Sequence, residues 1–268
     1  MSRLAGAFEP GRPALIPFVT VGDPSLDATV ECVIAMAAAG AAVVELGIPF
    51  SDPIADGPTI ASASFRALSR GVRIDDVFDV VARIRERTAV PLVLFTYCNP
   101  VFKYGAAEFM ARAANCGADA VLLPDLPFDE SAEMRQIAQR NGLDVIHLVA
   151  PTTTPDRLAR IGAGATGFLY LVAALGVTGA RAELKSGLAE QIRRARAASR
   201  APVAVGFGVS TPEQAAQLAA WGADGVIVGS ALVQRLHEWR EAPDLAQRAG
   251  AFVAGFASAP AAGSVHQP

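Results

Sequence analysis

Nowhere does this 268-residue chain run apolar for the ~18 to 20 residues that a membrane-crossing helix needs, because glycine, proline and charged side chains interrupt every hydrophobic stretch. The N-terminus likewise lacks the long apolar region of a secretory signal, and a cytoplasmic location is expected. Cysteine is scarce. Cys32, Cys98 and Cys116 are unclustered and odd in number, which argues against a disulfide scaffold and against a zinc site. A large excess of either charge is missing too, and a net charge of −3 gives no electrostatic reason to expect a nucleic-acid partner. The basic cluster of Arg193, Arg194 and Arg196, with Arg200 beyond it, falls on a predicted helix and reads as its solvated outer face. No Walker lysine pattern occurs, so a nucleoside triphosphate is not expected.

What the chain does have is hydrophobic mass, 52% of its residues, enough for a large core. Short β-branched runs alternate with longer amphipathic or alanine-rich segments. The predicted strands are 14–20, 42–45, 91–96, 118–123, 144–149, 167–171, 202–206 and 225–228. The predicted helices are 27–39, 74–88, 106–116, 131–141, 155–161, 185–199, 212–221 and 244–256. Eight such units imply parallel pairing and closure into an α/β barrel of the (β/α)8, or TIM, type, with additional short helices. Gly40, Gly117 and Gly222 each close a helix ahead of the next strand, as a repeated βα unit requires. No linker marks a second domain, so 1–256 are expected to form one barrel and 257–268 a frayed tail rich in alanine, proline, glycine and serine.

The most informative stretch runs Glu45-Leu46-Gly47-Ile48-Pro49-Phe50-Ser51-Asp52-Pro53-Ile54-Ala55-Asp56-Gly57-Pro58. It starts where an apolar run ends, which places Glu45 at the carboxyl end of a predicted strand and Asp52 and Asp56 on the loop beyond. In a parallel barrel that end carries the chemistry. A buried carboxylate with a second one folded over it suits general acid and base work. The alternative for Glu45 is an ordinary ion-paired strand-end carboxylate; for Asp52, capping of its own loop stands beside a role at a partner surface. Glycine-bearing turns follow the last three strands: Gly176 to Gly179, Gly206 to Ser210, and Gly229-Ser230-Ala231. Glycine lets backbone N–H groups approach an anion, and a short helix from Ser230 would add its dipole. Three such loops at the strands where barrels bind phosphate predict a phosphorylated ligand; taken singly, each is an ordinary turn.

Across nearly the whole chain these residues resemble the tryptophan synthase alpha chains. The resemblance runs from Pro17-Phe18-Val19-Thr20-Val21-Gly22-Asp23-Pro24 through the Glu45–Pro58 block to Gly229-Ser230-Ala231. Tyr97-Cys98-Asn99-Pro100, Pro124-Asp125-Leu126-Pro127 and the two glycine loops fall in order between. It implies retro-aldol cleavage of indole-3-glycerol phosphate to indole and glyceraldehyde 3-phosphate, with indole passed to a beta subunit in an α2β2 heterotetramer. Glu45 would be the principal acid and base and Asp56 the second catalytic carboxylate, with Tyr170 supporting the substrate. Phe18, Phe95, Leu122 and Phe207 would wall the indole; Gly179, Phe207, Gly208, Gly229 and Ser230 would hold the phosphate, and Thr178 would bind substrate with its hydroxyl. Asp52, Pro53, Asn99 and Pro127 would face the partner. Segments 51–58 and 173–189 would be mobile loops coupled through Thr178 and Asp56. Two departures stand out: Ala173-Ala174 where many relatives carry Ser-Arg, and Phe95 where relatives often carry leucine or methionine.

The chemistry accounts for the residue types. Indole C3 must gain a proton while the adjacent side-chain hydroxyl loses one, and a single glutamate poised near neutrality serves both steps. An ionised aspartate balances the positive charge that reaches the ring nitrogen. No electron sink is needed, so no cofactor and no metal are expected. Alternatives are a free-standing indole-releasing lyase, a catalytically idle barrel kept as an activator, and a sugar-phosphate isomerase, to which an aromatic pocket offers little. Tyr97 and Tyr104 read as packing or interface residues, His147 as a satisfied core histidine, and Trp221, Trp239, Met110 and Met134 as packing.

Overall fold

The structure, a computed structural model, describes residues 3–173, 187–206 and 208–257. Among them are eight parallel strands: β1 (Ala14–Thr20), β2 (Val44–Gly47), β3 (Leu92–Phe95), β4 (Ala120–Leu122), β5 (Asp144–Val149), β6 (Leu169–Val172), β7 (Val203–Gly206) and β8 (Gly225–Val228). They pair in chain order, and β8 closes on β1 with Ala14 opposite Gly225 and Pro17 opposite Val228. The expected TIM barrel is the fold.

Side-chain alternation explains the two-layered core. Ile16, Phe18, Val93, Phe95, Leu122, Ile146, Tyr170 and Ile227 point into the barrel and pack together there. Leu15, Val19, Val44, Leu46, Leu92 and Leu94, one position out of phase, meet the helix layer. Glu45, flanked by outward Val44 and Leu46, therefore projects into the interior.

The helices are α1 (Leu26–Ala38), α2 (Pro58–Ser69), α3 (Ile74–Arg85), α4 (Cys98–Tyr104), α5 (Ala106–Cys116), α6 (Ala132–Arg140), α7 (Pro155–Gly164), α8 (Leu188–Ala198), α9 (Pro212–Ala220), α10 (Ser230–Glu238) and α11 (Leu245–Ala257). Two of these, α2 and α4, lie outside the predicted set. Pro58 is the first residue of α2, with Gly57 as its N-cap, so the proline that punctuates the loop also starts a helix. Strand β2 runs two residues past Glu45, because its ladder with β3 continues through Leu46–Leu94 and Gly47–Phe95. Glu45 thus sits one layer inside the barrel rather than on the last residue of the strand. Helix α11 extends through Ala257, the first residue of the expected tail, and the rest of that tail, 258–268, lies outside the described residues.

Candidate active site

Phe18, Glu45, Asp56, Gly57, Ile60, Phe95, Tyr170, Gly208, Ile227, Gly229 and Ser230 line one slot at the carboxyl ends of the strands. Two glycines make room for its rings. A β-carbon on Gly47 would lie 2.5 Å from the Phe18 ring, and one on Gly206 2.3 Å from the Tyr170 hydroxyl. Phe95 stands edge-on to Phe18 with ring centroids 5.5 Å apart, which narrows the apolar end. The free volume is about 40 Å³, room for a water rather than an indole ring.

Glu45 is 1% exposed, and its Oε1 has no hydrogen-bond partner. Burial pushes its carboxyl up to about 8, so it is mostly protonated at neutral pH. Thr20 Oγ1 and Thr96 Oγ1, from β1 and the residue after β3, are also buried and unpaired at this mouth. Asp56 is raised to about 6, with burial outweighing the hydrogen bond it receives from Tyr97. The two carboxyls are thus displaced unequally, so one is mainly acid while the other is mainly anion at neutrality. Tyr170 is held well above its ordinary value by burial and by the nearby Glu45 and Asp56 carboxylates, and it remains a hydroxyl donor.

Tyr97 holds the Asp56 loop, a contact that the residue pattern did not expose. It is 2% exposed, bonds the Asp56 carboxylate and accepts the Ala55 N–H at 3.1 Å. Its ring lies 5.3 Å from that of Phe50, so one side chain fastens both ends of the Asp56 loop. Spacing could not reveal this, since the contact spans 42 residues.

Other expected residues divide cleanly. Gly208, Gly229 and Ser230 meet at the slot, where Ser230 opens α10 with no side-chain cap on its N-terminus, leaving backbone N–H groups for an anion. Leu122 is fully buried beside Phe95, its ladder neighbour, and does not line the slot. Thr178, Gly179 and Phe207, along with Ala174 and most of the 173–189 loop, lie outside the described residues. Asp52, Asn99 and Pro127 are exposed and Pro53 half-buried, in the company of two large apolar side chains, Ile54 at 80% and Phe102 at 62% exposure. His147 is buried against Phe128, but its Nε2 has no partner, so it is not the satisfied histidine expected. A larger hollow of about 350 Å³ opens at the other mouth, lined by Glu9, Arg12 and many alanines and glycines. It contains no buried unpaired carboxyl, and volume alone does not mark the site.

An interior carboxylic acid, a second carboxyl lining the same slot and a bare helix N-terminus beside them, at the carboxyl ends of a parallel barrel, are an arrangement that fits an acid–base enzyme. The chain belongs to the tryptophan synthase alpha chain family, whose model matches residues 4–259. The tryptophan synthase alpha chain of Geobacter sulfurreducens is 46% identical over 263 residues, covering 97% of this chain and 99% of that one. The Synechococcus elongatus alpha chain is 48% identical over 228 residues, 85% of this chain and 86% of its own. Among solved structures, the Legionella pneumophila alpha subunit superposes with a TM-score of 0.87 at 39% identity, covering 97% of this chain and 98% of that one. A Pyrococcus furiosus chain from a study of mutual activation in the tryptophan synthase α2β2 complex gives 0.86 at 40%, covering 93% and 98%.

Proposed function

We propose that this chain cleaves indole-3-glycerol phosphate to indole and glyceraldehyde 3-phosphate, as the alpha subunit of a tryptophan synthase. The observation that carries the reading is the unpaired interior carboxyl of Glu45, protonated near neutrality and set beside the ionised Asp56 in an aromatic-walled slot. Glu45 gives its proton to indole C3, and Asp56 balances the positive charge that then reaches the ring nitrogen. The bond from C3 to the side chain breaks, its electron pair restores the aromatic ring, and the adjacent hydroxyl loses its proton to Glu45 as the aldehyde forms. Phe18 and Phe95 hold the ring, Tyr170 supports it, and the N-terminus of α10 with Gly208 and Gly229 takes the phosphate.

The partner is a beta subunit, and Asp52, Pro53, Asn99 and Pro127 with exposed Ile54 and Phe102 form the face that meets it. That face continues into the Asp56 loop, so a partner favouring the closed loop raises the rate without touching substrate. Three free cysteines suit a reducing compartment, and a cytoplasmic location is part of this reading. The test is indole release from indole-3-glycerol phosphate, with and without beta subunit, by wild type and Asp56→Asn. Loss of a preorganised charge typically costs on the order of 10² to 10³ in rate, and that loss is expected in both settings. Near-normal turnover by Asp56→Asn would refute the charge-balancing role.

A further inference from the structure

Asp23, in the loop after β1, is 6% exposed and receives two arginines, Arg66 of α2 and Arg70 at the C-cap of that helix. Arg66 Nε reaches Oδ1 at 3.0 Å and Oδ2 at 3.2 Å, its Nη2 bonds Oδ2 as well, and Arg70 Nη1 adds Oδ1 at 3.3 Å. Such a fork binds in one orientation, and with Asp23 out of solvent it is far less screened than a surface pair. Val72, just past α2, packs onto Gly22 next to the same aspartate. The far half of α2 is therefore bolted to the first loop of the barrel. Its near half carries Ile60 into the slot and starts at Pro58, two residues after Asp56. Between Pro58 and Arg66 the helix rises about 12 Å, at ~1.5 Å per residue, too far for the ion pair to touch substrate.

We propose that Asp23 and Arg66 are positioning residues, fixing α2 so that the helix start delivers Asp56 over Glu45 when the loop closes. This rests on the catalytic reading of Asp56 given above. Tyr97 fastens the loop from one side, and the ion pair fixes the rod on which the loop ends. A rod free to tilt would let Asp56 drift by more than the ~0.5 Å that a preorganised group tolerates.

The test uses the full chain, with and without beta subunit, carrying Asp23→Asn or Arg66→Gln. Indole release should show kcat down about tenfold, with affinity for glyceraldehyde 3-phosphate kept, since Gly208, Gly229 and Ser230 are untouched. A loosened loop exposes Asp56 to water, so the acid limb of kcat/KM should move below its wild-type position toward the ordinary carboxylate range. The groups facing Asp56 there are Tyr97 and Tyr170, with Glu45 lining the same slot; those facing Asp23 are Arg66 and Arg70. In an Asp56→Asn background the Arg66→Gln loss should vanish, because a clamp that acts through Asp56 has nothing left to position. If either variant fails to fold, Arg66→Lys, which keeps the charge but not the fork, carries the same measurements with a smaller loss. Unchanged kcat, an unmoved acid limb, or losses that multiply fully with Asp56→Asn would each overturn the proposal. Full turnover by Asp56→Asn alone overturns the catalytic assignment instead, so the two failures are distinguishable.

Discussion

Two buried carboxylates near opposite ends of the barrel are treated in opposite ways. Asp119, 7% exposed just before β4, accepts Arg3 Nε at 2.7 Å, Arg85 Nη2 at 2.9 Å and the Leu92 N–H at 2.9 Å. Glu45, 1% exposed near the carboxyl ends, has an oxygen with no partner at all. At the first, two guanidiniums and a backbone N–H surround a buried carboxylate, which ties the N-terminal segment, α3 and β3 together. The absence of such compensation at the second leaves the proton on Glu45 as the only route to neutrality. One end of the barrel pairs its buried carboxylate, and the other leaves a costly carboxyl oxygen unpaired.

The sharpest way to break this contrast is Glu45→Gln. Turnover should fall by roughly 10² to 10⁴, the span of a general acid and base, while phosphate-ligand affinity stays. More than about a tenth of wild-type kcat would remove Glu45 as the proton carrier. Stability should move the other way. The folded carboxyl titrates near 8 against an ordinary 4.5, so the Glu45 contribution to stability is fully present below 4.5 and is lost as pH rises toward 8. The glutamine variant lacks that loss, and its advantage in denaturant titrations should grow through this window and level off above it. At about 1.4 kcal/mol per pH unit the gain is of order several kcal/mol.

Asp119→Ala probes the opposite end. It strands the half-buried Arg85 guanidinium and should cost about 3 kcal/mol in urea unfolding, with kcat of the folded protein unchanged. An equal effect on kcat would show that the two ends are not separable. A smaller effect is expected in the pH dependence of kcat/KM for the free enzyme. It should rise as Asp56 ionises through about 6 and fall as Glu45 loses its proton through about 8. A flat profile between pH 5 and 9 is the outcome that breaks this assignment. Smallest of all, Tyr97→Phe deletes one hydroxyl contact to Asp56, worth about 1.5 kcal/mol, and kcat should drop roughly tenfold. Because that hydrogen bond lowers the Asp56 pKa, the acid limb should move upward, opposite to the Arg66 variants.

Much of this molecule is written locally. Strands β1, β5 and β8 fall on their predicted bounds, since each is a run of residues suited to the barrel and bounded by turn residues. Glu45 and Asp56 stand out as candidates in the sequence because a charged residue after four apolar ones, followed by a loop punctuated by prolines, has few structural uses, and the fold brings both to one slot. Helix α2 escaped the reading because its loop residues run into it without a break, and its buried Ala63, Ser64 and Ala67 make only a weak apolar face. The role of Tyr97 escaped it because a hydrogen bond across 42 residues leaves no periodicity.

By itself the chain determined the alternation of strands and helices and the closure of the barrel, and it singled out Glu45 and Asp56 as candidates, all of which follow from neighbouring side chains and their spacing. Only the tertiary structure decided that Glu45 has an unpaired oxygen, that Tyr97 fastens Asp56, and that Asp23 grips α2. Those properties depend on which groups far apart in sequence come within hydrogen-bonding range and on how much water is left between them. Packing in three dimensions sets both.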